Sequence, residues 1–264
     1  MKPLESYKQQ EIGHYDRLAK DWQQSNDANK WDADAEYLAH GVFASYQFVD
    51  AWLGTHIKKG DSLLDYGCGN GIHSILPAKL GAKVTGIDLS SESLAIARER
   101  AKRENVNDLA TFRVMDCERM DFADNTFDIV LDGGTFSSLN LAKAIPELAR
   151  VLKPSGTLIA IETFGHNPLT NIKRKLNRLL GRRTNWAVGH ILKTDDIELI
   201  KQHFTNAQVH YFHLLSLLAF PFLPLPGGKF LLKVFEKIDA PLLRIPLLQR
   251  YAFKVVITAS KPNK

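Results

Sequence analysis

Cysteine is nearly absent: the 264 residues contain two, Cys68 and Cys117. Each lies inside a turn motif described below, which excludes a disulfide-built scaffold and fits a reducing, cytoplasmic setting. No CxxC or HExxH spacing occurs and the nine histidines are scattered, so no metal site is expected. No apolar run reaches the roughly 20 residues that span a bilayer. The stretch Met1 to Trp22 is polar and charged, unlike a secretory leader. Internal repeats and low-complexity linkers are also missing. Net charge is a modest +5, and the 45% hydrophobic and 24% charged fractions are ordinary for a globular chain. The length suits one α/β domain with additions.

The most specific segment is Leu63-Leu-Asp-Tyr-Gly-Cys-Gly-Asn-Gly71. An apolar run ends in Asp65 and enters three alternating glycines, as a strand does where backbone must approach a ligand with no Cβ in the way. A helix is expected from Ile72, then a strand over Lys83–Ile87 that ends in Asp88. A carboxylate at that place accepts the hydroxyls of a ribose. Glycine spacing narrows the ligand. A dinucleotide fingerprint is G-x-G-x-x-G, whereas the third glycine here comes one residue early and Ile72 stands at the last position. The Gly-Lys-Ser/Thr of a phosphate loop is absent. Asp65, two positions before the first glycine, suits a cationic ligand better than a pyrophosphate.

The pattern Asp65-x-Gly67-x-Gly69-x-Gly71 resembles the first motif of class I S-adenosylmethionine-dependent methyltransferases, in particular the small-molecule type 11 group. Three further stretches are similar to that family in order and spacing: Val114-Met-Asp-Cys117, Phe122-Ala-Asp-Asn-Thr-Phe-Asp-Ile-Val130, and Glu147-Leu-Ala-Arg-Val-Leu-Lys-Pro-Ser-Gly156. Together they cover residues 60–163. The resemblance implies S-adenosylmethionine as cofactor. Asp65, Gly67, Cys68, Gly69 and Gly71 would line its methionine part and the turn. Asp88 would bind the ribose with Leu89 beside the adenine, Asp116 and Cys117 would flank the adenine, and Asp132 with Gly133 would stand where acceptor meets methyl. Tyr15-Asp16 resembles an N-terminal pair near the cofactor. The chain departs from many relatives in having no histidine just after the fourth strand, where it reads Asp132-Gly-Gly-Thr-Phe-Ser-Ser-Leu139. His190, before a helix beginning near Thr194, resembles a histidine of related small-molecule enzymes and is the expected catalytic base, with His14 and His166 behind it.

The resemblance implies a seven-stranded Rossmann-like doubly wound sheet, mostly parallel with an antiparallel last strand. The pattern itself gives helical spacing over Tyr7–Trp22 and Tyr37–Leu53, broken by polar Gln23 to Lys30. Strands and helices then alternate: Leu63–Tyr66, Lys83–Asp88, Glu92–Arg103 (helix), Thr111–Met115, Asp128–Leu131, Ala142–Leu152 (helix), Thr157–Glu162, Ala207–Phe212 and Phe253–Ala259. One methyltransferase domain over 1–264 is expected, with a helical cap at 1–58, a cofactor core at 59–163, and lid insertions at 165–193 and 213–251. Both insertions leave the ligand-binding edge of the sheet and are expected, with the N-terminal helices, to roof the cofactor.

Residues 173–183 carry six basic side chains and no acid. The ordinary reading is a solvated helix face; the sharper ones are an anionic surface or substrate. Residues 214–226 are strongly apolar and hold three prolines, which deny them a regular helix. They fit a self-packed lid, the wall of an apolar pocket, or a segment lying on a membrane. The expected activity is methyl transfer to a small, apolar or lipid-like acceptor, with oxygen preferred as the methylated atom, in the cytoplasm or peripheral to a membrane. The rivals are an RNA or protein methyltransferase using 173–183 and a non-catalytic cofactor-binding scaffold. An enzyme acting on the amino groups of bases is disfavoured because no Asn/Asp-Pro-Pro-Tyr/Phe follows the fourth strand, and nucleic acid is not an expected partner.

Overall fold

The computed structural model describes residues 4–25, 41–180 and 183–263. The start of the expected helix Tyr37–Leu53 and the polar stretch from 26 to 30 lie outside them. Helices α1 (Ser6–Gln24) and α2 (Ala44–His56) precede the sheet. Then come β1 (Ser62–Tyr66), α3 (Ile72–Lys79), β2 (Lys83–Asp88), α4 (Ser91–Arg103), β3 (Ala110–Val114), β4 (Phe127–Asp132), α5 (Leu141–Val151) and β5 (Leu152–Thr163). After β5 the chain forms α6 (Pro168–Leu179), α7 (Asn185–Gly189), α8 (Thr194–His203) and β6 (Phe204–Phe212). A 3-10 turn over Ser216–Phe222, α9 (Gly228–Leu242) and α10 (Pro246–Gln249) lead to β7 (Lys254–Pro262).

The sheet order is β3-β2-β1-β4-β5-β7-β6, with only β7 antiparallel to its neighbours. Both faces of its centre are covered, which is why β1 and β4 read as near-continuous apolar runs. One face packs Leu64, Val130 and Leu158 against Ile145 and Leu148 of α5 and Ile200 of α8. The other packs Leu63, Ile129 and Ile159 against Val49 of α2, Ile75 of α3 and Leu94 of α4. The connections reverse direction between β1 and β4, and a parallel sheet binds its ligand in the crevice at such a switch point.

Local chemistry fixes the helix ends that matter. The Ser90 side chain accepts from the Ser93 amide, Glu92 sits in the first turn of α4, and Arg100, Lys102 and Arg103 fill its last. This is the charge order that the helix dipole favours. Helix α5 stops at Val151, one residue earlier than the pattern suggests. Pro154 biases Lys153 towards extended backbone, and β5 accordingly begins at Leu152, paired with Phe127.

His213 ends up beneath α2. It is 2% exposed, with positive φ, and its ring lies 3.0 Å from Ser45 Oγ and 3.1 Å from Ser216 Oγ. The Glu236 carboxylate is 3.8 Å away. Burial, helped by Lys254 and Lys233, lowers its pKa to about 3. The unfolded chain takes up a proton near the ordinary value of about 6.5, which the folded chain refuses. This contribution to stability is therefore complete above that pH and falls by about 1.4 kcal/mol per pH unit as pH drops towards the folded value. Denaturant titrations across this window should show a shallower loss in His213→Asn than in the native chain. Parallel losses would assign the acid sensitivity to other groups.

Candidate functional site

Because β1, β2 and β4 are parallel, Tyr66, Asp88 and Asp132 end at one edge of the sheet. A cavity of about 650 Å³ opens there, within the range of small-molecule sites. Its floor is the turn Gly67–Asn70. Gly67 has φ +67, and a Cβ on it would overlap Thr135, whose hydroxyl donates to the Tyr66 and Gly67 carbonyls at 3.1 Å. Gly69 also has positive φ, but a Cβ there would meet nothing within 4 Å. That open backbone edge faces the cavity. One wall is Asp88, Leu89, Ser90, Ser93 and Ile96; another is Cys117, Gly133–Thr135, Ser138 and Leu139.

The roof is α1. Lys8, Glu11, Ile12, Tyr15, Leu18, Ala19 and Trp22 line the cavity, a run at helical spacing that turns one face of the helix onto the ligand space. Polar bonds fasten it. Lys8 Nζ reaches Asp116 at 2.7 Å and Glu118 at 2.9 Å. Ser138 Oγ donates to Glu11 at 2.7 Å and Thr184 also donates to Glu11. Ser90 Oγ donates to Asp16 at 2.6 Å. Burial works against the Lys8 charge, but the two carboxylates outweigh it and hold the ammonium above its ordinary pKa.

Asp88 is oriented by backbone. Its Oδ2 accepts from the Gly69 amide at 3.0 Å and its Oδ1 from Ser90 at 2.8 Å. Burial raises its pKa while these amides oppose the rise. Each oxygen keeps a lone pair for a hydroxyl donor. The lining carries two carboxylates, Glu11 and Asp88, against one ammonium, Lys8. Such a balance suits a cation better than a pyrophosphate.

Of the residues that sequence singled out, Gly67, Cys68, Gly69, Asp88, Leu89, Cys117 and Tyr15 come together on the cavity wall. Burial raises both thiols, so Cys68 and Cys117 act as apolar lining rather than nucleophiles. Four residues stand behind the wall. Asp65 is fully buried and accepts from Ser74 Oγ at 2.5 Å, tying β1 to α3. Gly71, φ +75, is the N-cap of α3 and packs on Ala97 of α4. Asp116 is engaged by Lys8 and by the Glu118 amide. Asp132 accepts from the Gly134 and Thr135 amides, while Glu162 beside it accepts from Phe136 at 2.6 Å. Burial and the neighbouring Glu162 push the Asp132 pKa well above its ordinary value, and the amide bonds of Gly134 and Thr135 fix the turn after β4.

The expected base and lids lie elsewhere. His190 is exposed, stacked on Trp186 at 3.7 Å with Nδ1 2.9 Å from the Trp186 carbonyl, and is absent from the cavity lining. Trp186 stacks in turn on Tyr7 of α1, so this segment braces the roof from outside. His166 bonds Thr194, and His14 is half-buried beside Tyr15, outside the cavity lining. Among the described residues, neither 165–193 nor 213–251 contributes to the lining. The second insertion instead covers α2, through Phe43 on Phe220 and the Glu236 carboxylate on the Ala44 amide. Its departure from β6, at the far end of the sheet, explains this. A histidine does line the cavity: His73, in the first turn of α3, is 6% exposed and stacked with Tyr46. A Cβ on Gly133 would collide with its ring, so glycine is required for the two to meet. Its signal in the sequence is its place two residues after the last turn glycine.

Residues 64–160 match the family model described as a methyltransferase domain. A demethylmenaquinone methyltransferase of Symbiobacterium thermophilum is 33% identical over 141 residues, 51% of this chain and 55% of that protein, so the chain spans little more than half of it. A phosphatidylethanolamine N-methyltransferase of Cereibacter sphaeroides is 30% identical over 150 residues, covering 54% of this chain and 73% of that one. Among solved structures, geranyl diphosphate C-methyltransferase from Streptomyces coelicolor, in complex with Mg2+, geranyl-S-thiolodiphosphate and S-adenosyl-L-homocysteine, superposes with a TM-score of 0.62. It covers 99% of this chain and 100% of its own at 16% identity, a likeness of fold.

Proposed function

The chain belongs to the class I S-adenosylmethionine-dependent methyltransferases, and from that premise we propose that it methylates a small, amphipathic or lipid-like acceptor in the cavity beneath α1. The residues fit the cofactor. The side-chain-free edge at Gly69 admits close approach, Asp88 offers two oriented oxygens for the ribose hydroxyls, and the lining carries an excess of acid for a cation. When bound, S-adenosylmethionine supplies an electrophilic methyl with a good leaving group. The chain's part is then positioning and exclusion of water. Leu89 and Cys117 offer apolar surfaces to a flat base, and Ile12, Leu18, Ala19, Trp22 and Leu139 keep the space dry.

Where the acceptor is a hydroxyl, its proton needs a base. We assign that role to His73, held by Tyr46 against the turn after β4, in place of His190. Oxygen methylation rests on this histidine. The observation that carries the acceptor class is the apolar face of α1 opposite the glycine edge. It suits a partly apolar molecule of modest size rather than a macromolecular chain. Arg174 also counts against the RNA or protein reading: it is 7% exposed and donates to the Phe164 carbonyl and to Asn171, which interrupts the basic stretch. No described helix is long and apolar enough to cross a membrane. An acceptor of this kind is met at a membrane surface, and we read the protein as peripheral to one. Incubating lipid, metabolite and RNA extracts with the protein and methyl-labelled S-adenosylmethionine should label a small or lipid molecule by mass spectrometry. Label confined to RNA or protein would overturn the acceptor class, and no label in any fraction would favour a scaffold.

A further inference from the structure

A helix on a globular surface ordinarily turns its apolar stripe inward. Helix α6 does the reverse. Leu169, Ile172, Leu176 and Leu179 recur along one side and are 60%, 67%, 54% and 77% exposed. The side facing the protein carries Thr170 and Arg174, which bond the Asn167 and Phe164 carbonyls. Lys173, Lys175 and Arg178 are exposed on the same helix. Helix α9 repeats the arrangement with Phe230, Val234 and Ile238, of which Phe230 is 76% exposed.

Charge is sorted in the same way. The two acids of 213–251 both face inward: Asp239 accepts from the Leu214, Leu215 and Ser216 amides, and Glu236 from Ala44 and Lys233. Lys229, Lys237, Arg244 and Arg250 are left on the outside. The two insertions touch where the Asn167 side chain donates to the Tyr251 carbonyl at 2.6 Å. Both leave the sheet at the edge where the cavity opens, because β5 and β6 run parallel to each other on either side of β7.

We propose that the outward apolar stripes of α6 and α9 dock on an anionic lipid bilayer. This rests on the lipid-like acceptor reading and deepens it. Apolar side chains enter the boundary between headgroups and acyl chains, while the flanking lysines and arginines meet lipid phosphates. Pairing with a second copy of the chain would set these cations against their own kind, which the charge pattern disfavours.

The test is flotation of the whole protein with phosphatidylcholine vesicles, with and without phosphatidylglycerol. Binding is expected to the anionic vesicles and to fall as salt rises, since exposed charges are screened within about 10 Å at 0.1 M. Ile172→Gln with Leu176→Gln should lower it at least tenfold, and Lys173→Gln with Lys175→Gln and Arg178→Gln should do likewise. Both variants should keep the native melting curve and S-adenosylhomocysteine affinity. No flotation, or equal flotation with both vesicle types, would overturn the proposal. So would a dimer by light scattering that the Ile172→Gln, Leu176→Gln variant dissolves. Because flotation needs no turnover, its failure is separable from failure of the acceptor assignment, which labelling reads.

Discussion

Asp88→Ala should bind S-adenosylhomocysteine at least tenfold more weakly than the native chain. The carboxylate is oriented by the Gly69 and Ser90 amides and reaches the cavity wall. Hydrogen bonds to a charged group contribute about 1.5–3 kcal/mol, and two hydroxyls share this one. The substitution also removes the acceptor that steadies the Gly69 amide, so it loosens the turn as well as the ribose site. Asp88→Asn separates the two effects, because it retains an oxygen for one amide and loses the charge. Calorimetric titration reads both variants. Unchanged affinity in Asp88→Ala would show that the ribose lies elsewhere, and the cavity would need another ligand.

Turnover in His73→Ala should fall by about 10²–10⁴-fold if the acceptor is a hydroxyl, the usual range for a general base. Cofactor affinity should change far less, since the ring packs on Gly133 and Tyr46 rather than on the Asp88 wall. His190→Ala should keep most of the turnover, because that ring is stacked on Trp186 on the exposed side of the roof. Single-turnover measurements on the two variants, side by side, decide between the histidines. A large loss in His190→Ala with little loss in His73→Ala would restore the assignment that the sequence suggested. Equal and small losses would leave positioning as the mechanism.

The scaffold was legible because its signals are local. Strand β2 runs over Lys83–Asp88 as the pattern indicates, and the helix after Gly71 begins at Ile72. Periodicity also marked α4 and α5 to within a residue. The site was legible where backbone alone decides it, at Gly67, Gly69 and Asp88. It was less so for carboxylates. Asp65, Asp116 and Asp132 match ligand positions in the resemblance, yet their oxygens serve Ser74, Lys8 and the Gly134–Thr135 amides. A linear motif does not say whether a carboxylate faces the ligand or the layer behind it. The roof posed the opposite problem. The N-terminal helices were expected over the cofactor and Tyr15 near it, but Lys8, Glu11 and Ala19 look like any amphipathic helix face, and only tertiary placement makes that face a cavity wall. His190 could have been read differently: Trp186 lies four residues earlier, the spacing at which rings on a helix meet.

The manner in which α1 is held gives the enclosure a particular kinetic character. Of its residues, Ala19 is the only buried hydrophobic one; Tyr7 stacks on Trp186 and donates to Glu118, and Lys8, Glu11 and Asp16 add polar bonds. Segments with few buried apolar contacts open at free energies well below that of global unfolding. The roof is thus latched rather than cemented. Its release exchanges the ion pairs of Lys8 and the hydroxyl bonds of Glu11 and Asp16 for water. The Lys8 ion pairs are the part of this latch that salt screens, while the sheet holds the chamber beneath.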